Sequence, residues 1–206
     1  MKKIIALFLV LFGASSIQAQ GAGTVTLFAN AGYTLEETVP YDFGDLKIKD
    51  GLQWGGGLEY FLSKYNSVEF KYNRMDSDFT FSGYFDGQDR FGSGSGSVQT
   101  YLLGYNNYFY KGDSKAVPFI GASLGLGIAD APDISAETGF AWDIRVGVKM
   151  KGSGPVSLKL QAYLQSMLTT AGYDYWYYYG YPYAVADYSR ILQFGFGAVI
   201  GFDVNK

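Results

Sequence analysis

An antiparallel, up-and-down β-barrel of eight strands is the fold class this sequence predicts. Three observations predict it. Segments of strict apolar/polar alternation recur along the chain, the clearest being Phe140 to Met150. The connections between them alternate between short and long. The composition favours strands and turns: 19 Tyr, 16 Phe and 28 Gly stand against 5 Pro.

Taken in order, Val25, Leu27, Ala29, Ala31 and Tyr33 form the apolar face of the first strand. Leu52, Trp54, Gly56, Leu58, Tyr60 and Leu62 form that of the second. Val68, Phe70 and Tyr72 mark the third, opposite Glu69, Lys71 and Asn73. Tyr101, Leu103, Tyr105 and Phe109 mark the fourth, and Ile120, Ala122, Leu124, Leu126 and Ile128 the fifth. In the sixth, Phe140, Trp142, Ile144, Val146, Val148 and Met150 oppose Ala141, Asp143, Arg145, Gly147 and Lys149. Val156 to Leu164 and Leu192 to Phe202 repeat this pattern as the seventh and eighth. Residues 63–66, 111–116 and 151–155 read as tight turns, and residues 35–50, 76–96, 130–139 and 169–189 as long loops. Phe79 and Phe81 leave two readings open, an extension of the third strand or a small extra hairpin.

Residues 1–19 read as a secretory signal peptide. Lys2 and Lys3 form its charged start, Ile4 to Gly13 its apolar stretch, and a cut after Ala19 is expected. The remaining 20–206 form one barrel domain. Losing Lys2 and Lys3 takes the formal charge from −3 to −5, a poor match for nucleic acid. Cysteine is absent, which excludes disulfides and thiolate metal sites, and no cofactor is expected.

Which face meets which solvent decides between a membrane barrel and a soluble, ligand-carrying one. The clearest strands have one face without any charge, while the other mixes small residues with charges. Unpaired charges would be costly in an apolar ligand pocket, so the mixed face reads as a polar interior and the apolar face as lipid-facing. Tyr60, Phe109 and Phe202 fall near the short-turn ends, and Tyr33, Trp54, Tyr101, Phe140 and Trp142 near the long-loop ends, as two candidate aromatic belts.

The signal segment, the eight alternating strands and the closing strand Leu192 to Phe202 together resemble the small outer-membrane β-barrel family of OmpA and OmpX type. The resemblance implies outer-membrane lipids, lipopolysaccharide and the barrel assembly machinery as partners. It also implies periplasmic termini and extracellular long loops in a Gram-negative bacterium. This chain departs from the family's usual aromatic terminus, since Asp203 to Lys206 follow Phe202. Enzymes of similar architecture rely on a catalytic histidine, and this chain has none. A non-enzymatic barrel is therefore expected, structural or binding through its loops. A small porin-like channel is the alternative, and a secreted soluble carrier the third reading.

The expected lumen network is Glu59, Glu69, Lys71, Asp143, Arg145, Lys149 and Lys159. A turn centred on Tyr65 would set Glu59 across from Lys71. A turn near Ser153 would set Arg145 against Gln161 and Asp143 against Tyr163. Lys149 and Lys159 come close and need acids, for which Glu69 or Asp203 would serve. The most biased loop is rich in tyrosine: Tyr173, Tyr175, Trp176, Tyr177, Tyr178, Tyr179, Tyr181 and Tyr183 form a candidate surface-binding loop for an extracellular glycan or protein, or else simply extend the last hairpin. Asp76, Asp78, Asp86 and Asp89 read as a solvated acidic loop without calcium-loop spacing, and Gly92 to Gly96 as a flexible linker.

Overall fold

The computed structural model describes residues 21–41, 44–85, 88–111, 114–131, 134–151, 154–178 and 181–204. The expected signal segment lies outside them. Ten strand elements follow one another: β1 (Val25–Thr34), β2 (Glu37–Tyr41), β3 (Gly44–Ile48), β4 (Gly51–Phe61), β5 (Asn66–Phe85), β6 (Gln88–Tyr108), β7 (Ala116–Ala131), β8 (Ile134–Lys151), β9 (Val156–Tyr178) and β10 (Tyr181–Asp203). Each strand of the wall pairs antiparallel with its sequence neighbour, and β1 pairs with β10 from Thr26↔Asp203 to Thr34↔Gly195, which closes the sheet on itself. Eight strands, β1 and β4 to β10, make the closed barrel. The β2–β3 hairpin is an addition above β1 and β4.

That addition continues the wall. β2 and β3 keep the register of β1 and β4, with Thr34↔Gly51 followed by Glu37↔Ile48. Against β5 the register slips by one residue, from Gln53↔Met75 to Ile48↔Phe79. An extra residue at this point bends the strand and exchanges its faces. Thr34 and Val39 are therefore both buried although they differ in parity. Of the two readings open for Phe79 and Phe81, extension of the third strand is the one that forms.

The long loops are shorter than the sequence led one to expect. Residues 76–96 are strand backbone over most of their length, paired as far as Phe85↔Gln88. Gly92 and Gly94, read as linker, pair with Phe81 and Phe79. The Phe79 ring lies against Gly94, where a Cβ would sit 2.8 Å from it. Aromatic side chains covering glycines across a strand pair compensate for the glycines' missing contacts. Residues 130–139 and 169–189 likewise extend β7–β8 and β9–β10. The short connections are as expected. In the first, the Ser63 hydroxyl accepts the backbone N–H groups of Tyr65 (3.0 Å) and Asn66 (3.2 Å), which closes the turn.

The apolar faces point outward. Leu52, Leu103, Leu124 and Ile200 are about 60% exposed, whereas Arg145 and Lys159 are buried. A soluble carrier would need the reverse, and a continuous apolar surface of this extent is not water-compatible. On β10 the outward apolar positions run from Leu192 to Phe202, matching the roughly 9–11 residues a tilted strand needs to cross a hydrocarbon layer. Above this band charge returns to the outer face at Arg74 and Arg190. Phe196→Arg is expected to cost about 2–4 kcal/mol of folding free energy in vesicles. Denaturant titration of the vesicle-folded chain measures it, and an unchanged midpoint would mean that Phe196 does not face lipid.

Candidate functional site

Buried titratable groups converge in the interior. All seven residues of the expected network, Glu59, Glu69, Lys71, Asp143, Arg145, Lys149 and Lys159, are buried there. Their pairing differs from the expectation. Glu59 stands across from Glu69, and Lys71 across from Gly57. The Ser63 turn centres on Lys64 and not Tyr65, because its hydroxyl captures the N–H groups of Tyr65 and Asn66. The β8–β9 turn centres on Gly154, so Arg145 faces Tyr163, Asp143 faces Gln165, and Lys149 faces Lys159. Moving a turn centre by one residue moves each partner by two, so every side chain keeps its face. The list of inward residues therefore survives although the pairs do not.

Two like-charged pairs directly across neighbouring strands would each be destabilising alone. They neutralise one another across the lumen. Lys159 Nζ lies 2.9 Å from Glu59 and 3.8 Å from Glu69, and Lys149 Nζ lies 3.8 Å from Glu59. Glu59 is thus the main acid for both lysines, a role the sequence had assigned to Glu69 or Asp203. It also accepts hydrogen bonds from Ser67 (2.6 Å), Asn106 (3.2 Å) and Tyr108. Glu69 accepts from Arg145 and from Asn106 at 2.8 Å. Asp143 accepts from Lys71 and lies 3.5 Å from Arg145 Nε. Buried Asp203 accepts from the Thr26 hydroxyl at 2.6 Å. Four acids and four bases make this layer formally neutral. Gly104 and Gly121 make room for the Arg145 guanidinium, since a Cβ on either would come within 3.1 Å of it.

Three further layers fill the lumen. At the short-turn end Phe61, Tyr108, Val117 and Phe119 form an apolar plug. Lys149 Nζ sits 4.2 Å from the Phe61 ring centre and 5.4 Å from that of Tyr108, so cation–π attraction joins plug and charges. On the other side lies an uncharged polar layer: Asn30 donates to Asn73 (2.9 Å), Gln53 to Gln165 (2.9 Å), Gln165 to Gln193 (3.2 Å), and the Thr34 and Tyr163 hydroxyls share a bond of 2.8 Å. The void beside it measures about 10 Å³, room for one water. Towards the long-hairpin mouth Met75 packs with Val39 and Ile48 of the β2–β3 hairpin. The plug and Asn106 were not recognised from sequence. Phe61 and Phe119 break the small-and-charged pattern of the inner face, and that was the available signal.

The eight candidate belt residues, Tyr33, Trp54, Tyr60, Tyr101, Phe109, Phe140, Trp142 and Phe202, are all at outward positions, and Trp54, Tyr72 and Tyr101 form a contiguous ring row. Tyr173, Tyr175, Trp176, Tyr177, Tyr178, Tyr181 and Tyr183 have strand backbone in β9 and β10, while Tyr179 lies outside the described residues. Among the described residues no cluster of metal-binding side chains occurs.

No protein-family model and no curated protein matches the chain. Solved structures do. The outer membrane protein OprG of Pseudomonas aeruginosa superposes with a TM-score of 0.61 at 10% identity, over 91% of this chain and 99% of that one. Neisserial surface protein A superposes with a TM-score of 0.53 at 16% identity, over 86% of this chain and 97% of that one. This is the fold of the small outer-membrane β-barrels. At such identities the likeness concerns the barrel alone.

Breaking the ionic layer has a calculable cost. Glu59→Gln leaves Lys149 and Lys159 short of their shared acid, and is expected to destabilise the barrel by about 3–5 kcal/mol in equilibrium unfolding. Adding Lys149→Met is expected to recover part of this. Strictly additive losses would show the two groups to be uncoupled.

Proposed function

We infer that this chain is a closed, non-enzymatic integral barrel of the bacterial outer membrane that anchors and displays β-hairpins on the cell surface. The observation that carries this reading is the filled lumen. Aromatic plug, ionic layer, amide layer and methionine layer succeed one another along the axis, and the void beside the amide layer has room for about one water. That arrangement speaks against the small-channel alternative. The absence of histidine and the pairing of Glu59, Glu69 and Asp143 with bases support a non-catalytic interior.

In this reading the short turns and both termini face the periplasm. The two aromatic belts sit at the membrane interfaces beside lipid and lipopolysaccharide, and the assembly machinery recognises the closing strand. The display function falls to the hairpin extensions. β9 and β10 have 23 residues each, about twice what a bilayer crossing requires. Their tyrosine-rich tip offers large contact area at small entropic cost, suited to an extracellular glycan or protein.

Planar-bilayer recordings of the folded chain are expected to show no stable conductance steps; large reproducible steps would overturn the closed-barrel reading. Replacing residues 173–183 by a short Gly/Ser loop is expected to leave the unboiled-gel mobility of the barrel unchanged while abolishing adhesion of cells expressing it. Undiminished adhesion would remove the display role from that hairpin.

A further inference from the structure

The two ends of the barrel differ in charge. At the long-hairpin end acids predominate, among them Glu36, Asp45, Asp50, Asp76, Asp78 and Asp130. Every short turn instead carries lysine: Lys64 in the first, Lys111 and Lys115 in the second, Lys151 in the third. By sequence Asp113 is the only acid in these three turns. Among the described residues no carboxylate lies within ion-pair distance of Lys64, Lys111 or Lys115.

These lysines are also placed. Lys64 Nζ stands 4.8 Å from the Tyr65 ring centre and Lys151 Nζ 4.5 Å from that of Tyr110. The two rings meet edge to face with centres 6.0 Å apart. They border a cleft of about 730 Å³ whose lining includes Asn66, Asn107, Lys111 and Ser114. The Tyr65 ring face satisfies none of the Lys64 ammonium's three N–H donors in the way an anionic oxygen does. Lys151 N–H donates to Lys115 C=O at 3.0 Å, so lysines occupy neighbouring strand ends. The turns end directly beside the outward rings of Tyr60 and Phe109, and the turn at residues 62–65 projects little beyond them. What lies within reach at that level is the lipid headgroup layer.

We propose that the short-turn end of the barrel is a binding surface for the anionic headgroups of phosphoglycerolipids, with Lys64, Lys111 and Lys115 as phosphate ligands around the Tyr65–Tyr110 cleft. This rests on the membrane reading above. It assigns the periplasmic side an electrostatic grip on lipid that the acidic outer end lacks.

The test folds the full mature chain into phosphatidylcholine vesicles with and without a minority of phosphatidylglycerol, and reads the association of spin-labelled phosphatidylglycerol relative to phosphatidylcholine. Enrichment of phosphatidylglycerol at low salt is expected. It should fall as salt rises, drop by up to about fivefold for each lysine changed to glutamine at positions 64, 111 and 115, and persist in a Lys47→Gln, Lys49→Gln control at the other end. Equal association of the two lipids, or enrichment unaffected by the three substitutions, overturns the proposal. So does lysine-dependent binding to purified cell-wall sacculi in place of lipid. Unboiled-gel mobility separates the two failures: a chain that does not fold in either vesicle refutes the membrane reading, and a folded barrel without lipid preference refutes this proposal alone.

Discussion

Pairing of β1 with β10 is the interaction on which everything else in this molecule depends. A sheet left open there would present a row of unpaired N–H and C=O groups to hydrocarbon, at several kcal/mol each. With Thr26↔Asp203 through Thr34↔Gly195 in place, the spanning part of the wall has no free edge. Closure also creates the interior. Only in the closed ring do Glu59 and Glu69 from β4 and β5 come within reach of Lys149 and Lys159 from β8 and β9, four strands away around the wall.

The interior then explains the choice of inner-face residues. Buried charges are tolerated when they are paired and hydrogen-bonded, and strongly destabilising when a partner is missing. Here two pairs that would repel as cross-strand neighbours become mutual counterions. Glycines at 104, 121 and 195 leave the volume that Arg145 and Tyr163 occupy. An eight-stranded ring is narrow enough for side chains to fill, so the network that satisfies the charges also occupies the lumen.

Much of the fold was legible in the sequence, and the pattern of what was not is instructive. Periodicity of two identified all eight spanning strands and the face of each inward charge, because an error of one residue in a turn centre leaves faces intact. It missed the partners, since the Ser63 hydroxyl and the Gly154 turn set register through local hydrogen bonds that alternation does not report. It also read residues 76–96 and 169–189 as loops. Gly92 to Gly96 and the tyrosine-rich stretch have loop-like composition, and only pairing with an aromatic strand alongside makes strands of them.

The sequence by itself determined the strand number, the lipid-facing and lumen-facing sets, and the exclusion of histidine chemistry. Those are consequences of residue type and spacing, which are local. Tertiary structure alone decided that Glu59 serves two lysines, that Phe61, Tyr108 and Phe119 plug the short-turn end, and that the β2–β3 hairpin extends the wall. The first two join residues from strands apart in the chain, at distances set by closure of the ring, and the third rests on pairing of β3 with β5; no local pattern encodes either.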